Sequence, residues 1–320
     1  MIDRRRALGV LGAAAGLLGG LWSVPEVAAF PDKPVTMVVG FGAGGMTDIS
    51  SRLMAQKLEQ TLGVNVVVEN KPGAGGVLAI NSVGQMPVDG YTIVSMLTDG
   101  PFTSTYQGKP IDFTKWAIVG GYMPQERVVF AHKSAPFNTF QEMVAFAKSN
   151  PVTFADGGAF WSSRVVEAYG KKNGLQLRLV PFRSGAEGSA AILGGHVMIA
   201  ETGVGTSAWK AAKKGDLKIL ATLSPGGLKA FGMAEVPTLD KLGADYVVRI
   251  FYGYAVSAAT PQDRIEKLSV SFKAAVDDPK VQEKLKALDL TPRWIDPKEY
   301  ESTLRSVQDD ANKLRTYLAK

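Results

Sequence analysis

The chain has 320 residues, a formal charge of +6, two histidines and no cysteine. The missing cysteine excludes disulfides, thiol catalysis and a lipidated N-terminal Cys; two isolated histidines, His132 and His196, give no zinc site or Ser-His-Asp triad and are read as structural. Lysines and arginines are scattered among acids with no dense basic run, which argues against nucleic acid as a partner, and neither a metal nor a cofactor is expected.

Residues 1–29 read as an export signal. Arg4, Arg5 and Arg6 precede a mild apolar stretch over residues 7–22, and Val27-Ala28-Ala29 is a small-residue cleavage pattern. The apolar part is shorter than the about 20 residues a membrane-spanning helix requires. The paired arginines ahead of Ala7-Leu8 resemble a twin-arginine signal. A mature protein starting near Phe30 and located in the periplasm is the expectation. The about 290 residues beyond Ala29 reach the size at which one core stops growing, so two domains are expected.

Strand and helix patterns then alternate. Val35–Val39 is an apolar strand that stops at Gly40-Phe41-Gly42-Ala43-Gly44-Gly45, and Ile49, Leu53, Leu58 and Leu62 follow at helical spacing up to Gly63. Such a junction aims backbone N–H groups and the positive end of a helix at one spot, suited to a carboxylate or phosphate. Residues 64–69 form a strand, Gly73-Ala74-Gly75-Gly76 a second glycine loop, Asp89-Gly90 a turn and residues 91–97 a third strand. Residues 98–115 read as loop. Strands are expected at 117–121 and 128–131, and Thr139 to Glu142 is a capping box. Further strands fall at 153–155, 177–181, 198–201, 218–222 and 247–257, with helices between, one of them from about Ser162. Three closing helices open at Thr260-Pro261, Asp278-Pro279 and Asp296-Pro297, each an N-cap followed by Pro. Repeated β/α units imply an α/β fold of doubly wound sheets with helices on both faces, and ligands in such folds sit at the carboxyl ends of strands.

Several motifs in one order resemble a known family. Phe30-Pro31-Asp32-Lys33-Pro34-Val35, Gly42-Ala43-Gly44-Gly45-Met46-Thr47-Asp48 and Glu69-Asn70-Lys71-Pro72-Gly73-Ala74-Gly75-Gly76 match the solute-binding proteins of the tripartite tricarboxylate transporter (Bug) family. Asp89-Gly90-Tyr91-Thr92, Pro181-Phe182-Arg183, Leu193-Gly194-Gly195-His196-Val197, Val236-Pro237-Thr238 and Thr260-Pro261 extend the similarity over nearly the whole mature chain. The resemblance implies a two-domain periplasmic binding protein of the Venus-flytrap type. Such a protein is a monomer that captures a small carboxylate between its domains and hands it to large and small membrane subunits; it is not an enzyme. It implies a discontinuous first domain, residues 30–130 and 254–320, around a second over residues 131–253.

The residues expected at the ligand are Phe41, Gly42, Ala43, Gly44, Gly45, Met46, Thr47, Asp48 and Thr98 on the first domain. On the second they are Gly158, Phe160, Trp161, Ser162, Ser163, Arg164, Arg183 and Glu201. Thr47 and Asp48 are read as helix caps as well, Arg164 as a partner for a second carboxylate, and Phe41, Phe160 and Trp161 as an apolar wall. The second-domain stretch from Asp156 to Arg164 is shorter and bulkier than the family pattern, and Met198 stands where that pattern has Asp. Gly40 to Gly45 also satisfies the G-x-G-x-x-G dinucleotide fingerprint, so an exported dinucleotide-binding oxidoreductase is the competing reading. A ligand-binding sensor without a transporter is another.

Overall fold

A computed structural model describes residues 30–155, 160–182 and 185–320, the side chain of Phe160 excepted. The expected signal peptide, Gly158 and Arg183 lie outside the described residues.

The chain builds two five-stranded sheets. The first has the order β2-β1-β3-β10-β4, from β1 (Val35–Val39), β2 (Val66–Asn70), β3 (Thr92–Ser95), β4 (Trp116–Gln125) and β10 (Ile250–Ser257). Strand β1 pairs in parallel with β2 and β3, while β10 runs antiparallel to β3 and β4. The second has the order β7-β6-β8-β5-β9, from β5 (Arg127–His132), β6 (Val152–Ala155), β7 (Leu177–Val180), β8 (Ile199–Gly203) and β9 (Leu217–Thr222). Here β6 is parallel to β7 and β8, and β5 is antiparallel to β8 and β9. Both sheets are therefore mixed, with helices on both faces. The chain passes from the first sheet to the second at Glu126 and returns ahead of Ile250. The expected divisions after residues 130 and 253 cut through β5 and β10, whose apolar runs each belong wholly to one sheet.

The helices that shape the centre of the molecule are α1 (Met46–Leu62), α2 (Val77–Val83), α3 (Asp99–Tyr106), α4 (Phe140–Ala147), α5 (Phe160–Asn173), α6 (Gly185–Leu193) and α7 (Ser207–Lys213). Helix α1 ends where expected, on Gly63 in the left-handed conformation. Helix α3 corrects the reading of residues 98–115 as loop: its Gly and Pro masked the pattern, but Pro101 sits in the first turn, where no N–H is missed. Three helices close the chain, α8 (Gln262–Asp277), α9 (Pro279–Lys286) and α10 (Pro297–Leu318). Asp278 and Asp296 cap α9 and α10 with their side chains as expected, whereas α8 receives no side-chain cap and Thr260 does not serve as one.

Two serines in the second turn of α1, Ser50 and Ser51, fix it to the first sheet. Ser50 Oγ hydrogen-bonds the Tyr122 hydroxyl at 2.8 Å, and Ser51 Oγ the Tyr254 hydroxyl. Burial pushes both phenols up, Tyr254 to about 12, so they remain neutral at any working pH. The two glycine loops meet behind the helix: a Cβ on Gly40 would lie 2.5 Å from the Gly76 Cα, so only glycine fits there. Among the described residues no helix is long and apolar enough to cross a membrane.

Candidate functional site: a cleft between the two sheets

A cleft of about 270 Å³ lies at the strand ends, walled by both sheets. Phe41, Gly42, Gly44, Gly45, Met46 and Thr47 line it from the first side, together with Leu97, Asp99, Ile250 and Tyr252. Gln125 and Arg127 flank the crossing at Glu126, and Thr202, Gly205, Thr206, Ser207 and Lys210 form the far wall with the start of α6.

The glycine loop brings backbone to the cleft. Gly45 is the N-cap of α1, in extended conformation, and no side chain caps the helix. The first-turn N–H groups of an α-helix have no intrahelical acceptor, so the positive end of a 17-residue helix opens on the cleft. Thr47 and Asp48 were expected to be the caps; both instead lie inside the first turn. Asp48 still does part of that work from there, because its Oδ2 accepts from the Gly44 N–H at 2.9 Å. Its Oδ1 meets Asn70 Nδ2 at 3.0 Å and Arg52 Nη2 at 2.9 Å. Burial would raise the Asp48 carboxyl, but hydrogen bonds from Arg52, the Gly44 N–H and Asn70 outweigh it and hold the carboxyl below its ordinary value. Asp48 is thus buried beside the loop, off the cleft wall, and Ala43 is exposed and is not among the residues that line the cleft. Gly44 holds φ at +76°, which L side chains rarely adopt.

Thr98 is not on the wall either. Its hydroxyl donates to the Arg249 carbonyl at 2.8 Å and accepts from the Phe251 N–H at 3.0 Å, tying α3 to β10. Tyr252 is on the wall. Its hydroxyl donates to Gln125 Oε1 at 2.9 Å, and Gln125 Nε2 in turn donates to the Val204 carbonyl at 3.2 Å. Burial pushes the Tyr252 phenol up to about 12, so it acts as a neutral donor; Thr47 and Arg127 pull the other way without prevailing.

The expected second-side residues are positioned differently. Trp161 is fully buried and stacks on Phe102, ring centroids 5.0 Å apart, so it packs α5 on α3 instead of walling the cleft. Its N–H donates to Asp99 Oδ1 at 3.1 Å, which sets the protein's own acid at the start of α5. Ser162 and Ser163 are buried in that first turn, off the cleft wall, and Ser162 Oγ has no partner among the described residues. Arg164 pairs with Glu167 at 2.6 Å on the same helix. Glu201 is fully buried and pairs with Arg127: Nε meets Oε1, and Nη2 meets Oε2 at 2.8 Å. Burial would lower the Arg127 pKa, but Glu201 and, more weakly, Asp99 raise it above its ordinary value, so Arg127 stays a cation.

Arg127, Asp99, Thr202 and Tyr252 were not foreseen. One signal existed for the first: Arg127 and Glu201 each interrupt an apolar strand pattern, and a buried charge needs an opposite one.

Comparison with known proteins accords with this geometry. Residues 50–320 match the model of the tripartite tricarboxylate transporter family receptor. A UPF0065 protein in the gbd 5' region of Cupriavidus necator is 33% identical over 304 residues, 91% of this chain and 90% of that protein. The structure of the periplasmic binding protein BugD is similar with a TM-score of 0.79 at 25% identity, covering 90% of this chain and 98% of that one. MatC from Rhodopseudomonas palustris, solved with bound malate, shares the fold with a TM-score of 0.78 at 22% identity, covering 89% and 100%.

Proposed function

Because this chain belongs to the tripartite tricarboxylate transporter receptor family, we propose that it captures a small carboxylate in this cleft and delivers it to transporter membrane subunits. The uncapped N-terminus of α1, opening on a cleft that both sheets wall, carries the reading. Removing a carboxylate from water is costly unless donors already stand in place. The first-turn N–H groups of α1 are such donors, fixed by Ser50, Ser51 and the Asp48 carboxylate. MatC with malate is a neighbour of the same fold and supports a carboxylate in this chain too.

In this reading each sheet with its helices is one domain, and the two close over the ligand about Glu126 and the segment ahead of Ile250. Closure exchanges ligand water for fixed donors and shapes a surface that the membrane subunits recognise. The protein works as a monomer in the periplasm, after removal of residues 1–29, and catalyses nothing. A cleft of about 270 Å³ is below the roughly 300–1,000 Å³ of typical drug-sized ligand pockets, which disfavours a dinucleotide despite the glycine pattern.

A thermal-shift screen tests this, with aliphatic and aromatic mono-, di- and tricarboxylates, amino acids and NAD(P). Binding to the native state alone raises the melting temperature by mass action. A saturable rise with a carboxylate class is expected. A rise with NAD(P) alone would overturn the reading.

A further inference from the structure

Two units that met only at the chain crossings would swing freely, but these two are also joined through their helices. Phe102 of α3, in the first unit, stacks on Trp161 of α5, in the second; the ring planes lie 12° apart and both rings are fully buried. Tyr106 extends the stack along α3. At the other end of α5, Lys171 Nζ donates to the Leu318 carbonyl at 3.3 Å, the last residue of α10 in the first unit. A separate joint ties Lys213 and Trp209 of α7 in the second unit to Asp289 in the first.

Asp99 stands at the centre of the α3–α5 joint. It is the first residue of α3, is buried and borders the cleft. The second glycine loop backs it: a Cβ on Gly75 would lie 2.5 Å from Asp99 Oδ2, so the carboxylate and the loop come this close only at glycine. Held there by the first unit, its Oδ1 accepts from the Trp161 N–H at the start of α5. The start of a helix attracts an anion. Asp99 supplies that anion from the chain itself, across the boundary between the units, and its charge repels a ligand anion from the same place.

We propose that Asp99 is a built-in latch, an internal anion on α5 that holds the two units closed in solution without a ligand. Opening, not closure, is then the step that admits a ligand. The latch lowers the fraction of molecules competent to bind, and apparent affinity falls with that fraction. The proposal uses the division into two moving units from the receptor reading and holds whatever the ligand is.

The chain has no cysteine, so Lys214→Cys after α7 and Lys284→Cys on α9, both exposed, take nitroxide labels at unique places on the two units. Double electron–electron resonance on the dialysed full chain, with no ligand added, tests the proposal. With Asp99 intact, one short distance should dominate, and an open form should hold less than about 10% of molecules. Asp99→Ala in the same labelled chain removes a charge-assisted hydrogen bond and should raise the open-to-closed ratio at least about tenfold, read as a second, longer distance. Asp99→Asn keeps the shape and loses the charge; it should show the same longer distance at a smaller population, and it carries the test if the alanine variant does not fold. A labelled chain that is mostly open with Asp99 intact would overturn the proposal. So would Asp99 variants, folded by circular dichroism, that keep the short distance alone. Either result leaves the carboxylate reading to the thermal-shift screen.

Discussion

Asp48 shows how a residue of the glycine motif serves the site without touching it. Its carboxylate holds the Gly44 N–H, Asn70 and Arg52, and these contacts keep its folded pKa below the unfolded one. For such an acid the added stability is present above the unfolded value, about 3.9, and is lost as pH falls through the folded value. Asp48→Asn should therefore cost about 1–3 kcal/mol at pH 7. The gap to wild type should shrink below about pH 4, as urea melts at both pH values will reveal. Gly44 is the complementary case: its φ of +76° is open to glycine and strained for others. Gly44→Val should cost about 1–2 kcal/mol, and calorimetry should find carboxylate affinity at least tenfold lower. At this scale the glycine loop was legible as part of the cleft wall, which Phe41, Gly42, Gly44, Gly45, Met46 and Thr47 line and Ala43 does not. The sequence was misleading where a side chain's direction decides. Trp161, Ser162 and Arg164 stand on the expected helix, yet Trp161 turns into the packing against Phe102, Ser162 is buried and Arg164 pairs along the helix.

Elements were legible wherever a period or a cap marked them. Helix α1 with its Gly63 stop, and α9 and α10 with Asp caps ahead of Pro, follow from local rules. Helix α3 was hidden because Asp-Gly-Pro reads as a turn until neighbours cover it. Its packing depends on α5: Phe102 stacks on Trp161 at 12° and on Tyr106 at 19°. Trp161→Ala should destabilise the protein by about 3–5 kcal/mol, measured by denaturant unfolding, because it empties that stack and not because it removes a ligand contact. The crossing at Glu126 behaves oppositely. Burial raises the Glu126 carboxyl above its ordinary value, with Ser224 pulling down less strongly, and its Oε2 has no partner among the described residues. An acid whose folded pKa is raised opposes folding above that value and is neutral in effect below the unfolded one. Glu126→Gln should raise Tm at pH 7, and the gain should vanish near pH 4.

Across the whole molecule, contacts between the two sheets' helices join the rim of the cleft. Lys213 of α7 reaches Asp289, after α9, at 2.6 Å, and Trp209 Nε1 donates to the same carboxylate at 3.0 Å. If the two sheets part to release ligand, these contacts must break. Asp289→Ala should speed ligand release several-fold in stopped-flow displacement while α9 keeps its Asp278 cap. The two-sheet plan was readable from alternating β/α units, but the place of the crossing was not: Arg127 to His132 looks like a connecting strand until its partners β8 and β9 are known.

The measurement closest to the central claim is a crystal structure of the protein soaked with the carboxylate that raises its melting temperature most. A carboxylate group within hydrogen-bond distance of the Met46 and Thr47 N–H groups, in the cleft that both sheets wall, is the result expected. A carboxylate held elsewhere, with the N-terminus of α1 left to water, would contradict it.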